Sequence, residues 1–221
     1  HLGLGNANKL LARFLAGHAA ELDLRLVDFN GGTLRNAIPR EAFATVAVPA
    51  AKADELKKLS TVYLDILKNE LSAKEKNLTV VLESVSTDKA ALTVQSRDTF
   101  VQLLNATPNG AIRNSDVAKG VVETSLNVGV VTMSDDSAEI ICLIRSLIDS
   151  GKEYVVSMLE SLGTLAGAKT SAKGSYPGWQ PDASSPVMAL VRETYQRLFN
   201  STPNIQVIHA GLECGLFKKP Y

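Results

Sequence analysis

Residues 21–32, ELDLRLVDFNGG, alternate apolar and polar side chains and then run into two glycines. Leu22, Leu24 and Leu26 fall on one side of an extended chain, and Asp23 and Arg25 on the other. That period of two marks a half-buried strand, which Gly31–Gly32 closes. Working outward, Leu10, Leu11, Phe14, Leu15 and His18 recur at helical spacing, with Asn6 or Asn8 able to cap the helix. Downstream, AFATVAVP (42–49) reads as a second strand ended by Pro49. Leu56, Leu59, Val62, Tyr63, Ile66 and Leu67 then form the stripe of a long amphipathic helix over about 51–71, and NLTVVLESV (77–85) reads as a third strand. The order is α-β-β-α-β.

The second half repeats a similar order. AALTV (90–94) is a short strand, and SRDTFVQLLNATPNG (96–110) is a helix started by Ser96 and stopped by Pro108 and Gly110. VETSLNVGVVTMS (122–134) and AEIICLIRSLI (138–148) are strands joined through Asp135–Asp136. GKEYVVSMLESLGTLAG (151–167) is a helix, and AKTSAKGSYP (168–177) adds a last strand. The order is β-α-β-β-α-β. These patterns predict an α+β fold of two ferredoxin-like (βαββαβ) lobes, residues 1–86 and 87–174, each an antiparallel sheet with two helices on one face. The first lobe lacks its opening strand, and the sequence starts at His1 rather than Met, so that strand is expected upstream. Residues 175–221 change character: a Pro-rich loop, a helix from Pro186 to about Phe199, the strand NIQVIHAG, and a Gly turn into LECGLF. This reads as a strand-helix fragment of a separate α/β domain.

Bulk composition excludes several function classes. Apolar residues make up 45% of the 221, enough for a real core. The 23 basic and 23 acidic residues cancel, so nothing draws the chain to nucleic acid or anionic lipid. No apolar run reaches the roughly 20 residues of a membrane span, and residues 1–15 are not a signal peptide. Two cysteines, Cys142 and Cys214, are too few for a disulfide framework and fit a reducing, cytoplasmic setting.

The residues able to carry chemistry are few. GLGNANK (3–9) lacks both the third glycine of a dinucleotide fingerprint and the Gly-Lys-Ser/Thr of a phosphate loop, so it is the start of a helix. His18 falls on an apolar face as a structural histidine. His209 and Glu213 are four apart, but Gly211 breaks any helix joining them, and two ligands fall short of the three or four that zinc takes from protein. Cys214 has a possible base in His209 and no third orienting group. GGTLRNAIPRE (31–41) is either a solvated hairpin loop or a ligand loop whose Arg35, Asn36 and Arg40 reach a carboxylate or carbonyl. Arg145 lies in a strand apolar on both faces and needs a partner, either an internal carboxylate or an anionic ligand such as a peptide C-terminus.

HLGLGNANKLLARFL, FNGGTLRNAIPREA, SLNVGVV with ICLIRS, YPGWQPD and HAGLECGLF together closely resemble the bacterial aminoacyl-histidine (Xaa-His, carnosinase-like) dipeptidases. That group belongs to the two-zinc metallopeptidase family that includes carboxypeptidase G. The resemblance covers essentially the whole chain. It implies that 1–174 form a two-lobed lid, used for homodimerisation, and that 175–221 return into a zinc-peptidase catalytic domain. It implies hydrolysis of Xaa-His dipeptides by water activated on two zinc ions. Carried over by motif, Asn36 approaches the substrate or its transition state, Arg145 binds its C-terminal carboxylate, and the backbone of Gly211 lines the site beside His209. The family's metal ligands and general-base Glu have no counterpart in these residues, so the chain alone is expected to bind no zinc and to be inactive. The other reading is a stand-alone dimerisation or binding module of two ferredoxin-like lobes.

Overall fold

A computed structural model describes residues 3–180, 182, 184–207 and 209. The fold mixes α and β: five helices and five strands among the described residues, the strands forming an antiparallel sheet. The chain divides into two compact units.

The first unit comprises His1–Gly110, Leu126–Leu143 and Ser157–Ser171. Helix α1 (Ala7–His18) is capped by Asn6, whose side-chain oxygen accepts from the Lys9 N–H at 3.2 Å. Ala12, Phe14 and Leu15 are buried, and the helix packs against strands β1 (Arg25–Gly31) and β2 (Ala42–Ala47) and helix α3 (Val94–Ala106). Strand β1 pairs antiparallel with β2 and carries a bulge at Val27, between the Leu26–Val46 and Asp28–Thr45 pairs. The extra residue shifts the alternation by one. Leu24 and Leu26 therefore share the core with Phe29, which meets Phe100 of α3 edge-on with 5.6 Å between ring centroids.

Helix α2 (Ala53–Glu70) follows a 3-10 turn at Ala50–Lys52. It buries Leu56, Ser60, Tyr63 and Leu67, and the Tyr63 hydroxyl donates to the Leu10 carbonyl at 2.7 Å. Val62 and Ile66, expected in the same stripe, are exposed, because the buried arc is narrower than the sequence pattern. Thr93, not Ser96, caps α3, which puts the helix start two residues earlier than expected. Strand β4 (Val122–Met133) follows; within this unit it flanks β1 at Gly31–Val131 and turns at Ser134–Ser137 into strand β5 (Ala138–Ser146).

The second unit comprises Ala111–Ser125, Ile144–Val156 and Ala172–Tyr221. Strand β3 (Gly110–Asn114) lies next to β4, and the Leu147 N–H bonds the Glu123 carbonyl at 2.9 Å. Arg113 pairs with the buried Glu123 carboxylate at 2.7 Å. Helix α4 (Asp149–Leu165) starts here, where Lys152 donates to the Tyr176 carbonyl at 2.7 Å and ties the Pro-rich segment to it. Helix α5 (Pro186–Phe199) has Pro at its first position and ends at Asn200 in the left-handed conformation.

Several expected strands do not form. Residues 77–85 carry no ladder, and Val80, Val81, Leu82 and Val85 are exposed: apolar, β-branched residues make a strand only where another strand's edge meets them. At 90–94 a single backbone bond, from Leu92 N–H to Leu26 O at 2.7 Å, takes the place of a strand, and α3 begins at once. Residues 168–177 and 204–207 are also without strand. Conversely, β3 forms without a sequence signal, because AIRN, behind a glycine at φ +94°, is too short to show a period.

Candidate functional site

Two groups of functional candidates emerge, one in each unit. In the first, the connection from β1 to β2 exposes its side chains at 33–38 but has its backbone held close against β4. Gly32 has φ +73°, and a Cβ there would stand 1.9 Å from the Gly129 carbonyl oxygen of β4. A Cβ on Gly129 would in turn stand 2.6 Å from the Arg35 Cα and oxygen. Two glycines thus let loop backbone and strand backbone touch. A turn follows, closed by the Ala37 N–H on the Leu34 carbonyl at 3.2 Å.

Asn127 of β4 holds that turn from below. Its amide nitrogen donates to the Arg35 carbonyl at 3.0 Å and to the Ala37 carbonyl at 2.8 Å, the two carbonyls that flank Asn36. Further asparagines back it. Asn6 donates to Asn109 Oδ1 and to the Val128 carbonyl, both at 3.0 Å, and lies 3.4 Å from Asn127 Oδ1. Asn109 Oδ1 also accepts the Val128 N–H at 2.9 Å. Asn36 itself is exposed, and among the described residues its amide has no hydrogen-bond partner. Its amide is therefore presented outward on a fixed backbone.

Arg40 plays a different part from the one its position suggests. Its guanidinium grips both oxygens of Glu75 at 3.1 Å, and Glu75 also accepts the Gly5 N–H at 3.1 Å, so this arginine fastens the far end of the loop. Pro39 adds a second fastening, its carbonyl taking the Ala7 N–H at 3.0 Å.

In the second unit, Arg145 of β5 and His209 come together. The Arg145 Nη1 donates to the His209 carbonyl at 2.9 Å, and the His209 Nε2 lies 2.6 Å from the Ser125 hydroxyl near the start of β4. Burial lowers the His209 pKa below the ordinary histidine value, and the Arg145 charge lowers it further, so the ring is neutral at pH 7. Among the described residues Arg145 makes no ion pair with a carboxylate. Of the guanidinium's five N–H groups, one carries the His209 contact, so the fork keeps donors for an anion. Gly211, Glu213 and Cys214 lie outside the described residues.

Elsewhere, the Cys142 thiol is pushed up to about 11 by burial, which suits a packing residue and not a nucleophile. Lys9 caps α3 through the carbonyls of Leu104, Asn105 and Thr107 at 2.6–2.7 Å, and burial brings its pKa down to about 8. Among the described residues no group of three His, Cys, Asp or Glu side chains could hold a metal ion, and no helix is long and apolar enough to cross a membrane.

The contacts of Asn127 and Ser125 could not be read from the sequence. Each sits in a strand whose pattern is explained by burial alone, and its partner is 84 to 92 residues away in the chain. The only signal was the polar side chain itself, within the otherwise apolar run SLNVGVV.

Residues 1–75 match the family model of the peptidase dimerisation domain. Over all 221 residues the chain is 80% identical to the cytosol non-specific dipeptidase of Escherichia coli (strain K12), of which it covers 46%. The solved structure of an aminoacylhistidine dipeptidase from Vibrio alginolyticus superposes with a TM-score of 0.93 at 55% identity, covering 97% of this chain and 44% of that one. The chain thus spans less than half the length of the relatives it matches.

Proposed function

We propose that this chain is the lid and substrate-gripping part of a cytosolic, zinc-dependent dipeptidase that hydrolyses Xaa-His dipeptides. The relatives' names supply the reaction class, and the 80% identity to one of them extends over the whole chain. Residues 1–75, which match a dimerisation domain, are the part through which two copies pair. The lid spans 1–174, its division at 86/87 into two lobes being the reading of the sequence pattern, and 175–221 belong to the catalytic domain.

The observation that carries this reading is the state of Arg145. A guanidinium without a carboxylate partner among the described residues, fixed by one bond to His209, is a receptor for an anion. A dipeptide offers its C-terminal carboxylate. Asn36 presents a free amide able to donate to a carbonyl oxygen as charge builds on it. The resemblance adds His209 and Gly211 as further substrate contacts. The described residues do not fit the two zinc ions of this chemistry, so no metal-dependent step is assigned to them.

The test compares the full-length protein with this chain alone, each given zinc and β-alanyl-histidine. The full-length protein is expected to release histidine and the chain alone to release none. Turnover by the chain at the full-length rate would overturn the division of labour. A full-length protein inert on every dipeptide would overturn the activity.

A further inference from the structure

We infer that Asn127 is the positioning residue for Asn36. The inference rests on the reading of Asn36 as a group that meets the substrate. The geometry is specific to that task. Asn127 does not touch the Asn36 side chain; its amide bonds the carbonyl before Asn36 and the carbonyl after it. Two bonds from one planar amide, on either side of a residue, fix the orientation of that residue's backbone and so the direction in which its side chain leaves the loop.

Three further features serve the same end. The Gly129 backbone lies directly under Arg35 with no room for a Cβ, so the loop cannot settle lower. The Asn6 amide and Asn109 Oδ1 meet each other and the Val128 backbone beside Asn127, so the supporting strand is pinned in turn. The Arg40–Glu75 pair holds the loop's far end. A hairpin of this length needs none of this to connect two strands. A loop that must hold one amide within a fraction of an ångström of a reacting carbonyl does, since a shift of about 1 Å can cost a hundredfold in rate.

The experiment uses the full-length enzyme with β-alanyl-histidine and the variants Asn127→Ala, Asn127→Asp, Asn36→Ala and Asn36→Ala/Asn127→Ala, each with its melting temperature. Asn127→Asp is isosteric but turns the donor toward the two carbonyls into an acceptor. Both Asn127 variants are expected to lower kcat at least tenfold with KM changed less than threefold. The loss from Asn127→Ala is expected to vanish once Asn36 is alanine, which a merely structural role would not produce. The inference is overturned if Asn36→Ala is impaired while the Asn127 variants are not, or if the Asn127 loss persists undiminished in the Asn36→Ala background. It is also overturned if neither Asn127 variant folds, which would make the residue a structural one. An Asn36→Ala enzyme equal to wild type is a different pattern: it overturns the reading of Asn36 and, with it, the catalytic sense of the contact.

Discussion

Arg145 and His209, 64 residues apart in sequence, are joined by a 2.9 Å bond from guanidinium to main-chain carbonyl. The bond uses one donor of the fork and ties it to the chain at residue 209. It also sets a positive charge beside an imidazole, which lowers that ring's pKa together with burial. Two consequences can be measured.

The first concerns substrate capture. In the full-length protein Arg145→Ala should lower kcat/KM on dipeptides with a free C-terminal carboxylate. Loss of a charged hydrogen bond costs about 1.5–3 kcal/mol, or roughly ten- to a hundredfold. Arg145→Lys should recover only part of it, because an ammonium lacks the planar fork. On a C-terminally amidated dipeptide, wild type and variant should differ little. If the variant loses melting temperature and leaves the carboxylate preference intact, Arg145 is structural.

The second concerns pH. His209 has its folded-state pKa depressed, so folding favours the neutral ring. The folded protein then resists a proton that the unfolded chain takes up, and stability falls as pH drops through the unfolded value, about 6.5, toward the folded one. NMR titration of the His209 ring should give a midpoint below the ordinary histidine value, and Arg145→Gln should move it upward. A midpoint at or above the ordinary value would contradict both causes.

How legible the fold was depended on whether the signal was local. Helix α5 starts where the sequence predicts because Pro186, at its first position, is a local signal. Strand β1 shows in its own alternation, but its bulge does not, because an extra residue is visible only when the partner strand is in place. Residues 77–85 had every intrinsic property of a strand and form none, since pairing is a property of two segments. The candidate site divides the same way. Asn36 and Arg145 stood out as polar groups in a suggestive loop and an apolar strand. The supports of each, Asn127 and the His209 carbonyl, depend on contacts that no local pattern encodes.

A third measurement separates backbone conformation from packing. Gly32 and Gly167 have nearly the same dihedral, φ +73° and +67°, but a Cβ at Gly167 meets nothing, whereas one at Gly32 meets the Gly129 carbonyl. Gly167→Ala should cost about 1–2 kcal/mol from the left-handed conformation alone. Gly32→Ala should cost that plus roughly 1–3 kcal/mol of overpacking, because its obstacle is backbone and cannot swing aside. Urea unfolding of both variants checks the difference. Equal losses would mean that the β4 backbone gives way beneath the loop.

The fourth measurement tests what a buried arginine is for. Arg97 of α3 is only 3% exposed. It pairs with Asp98 at 2.7 Å and donates to the carbonyls of Ala19 and Leu24. Ala19 O also takes the Leu24 N–H, so it keeps a partner if Arg97 is lost; Leu24 O has only the arginine among the described residues. Arg97→Leu therefore strands a buried acceptor just before β1, at a cost of about 1–3 kcal/mol. The Asp98 side chain is 44% exposed, and water screens its half of the pair, so Asp98→Asn should cost less. If Asp98→Asn proves the more damaging in urea unfolding, the arginine is held for its ion pair, and closure of the chain ahead of β1 rests on the Leu24 N–H bond alone.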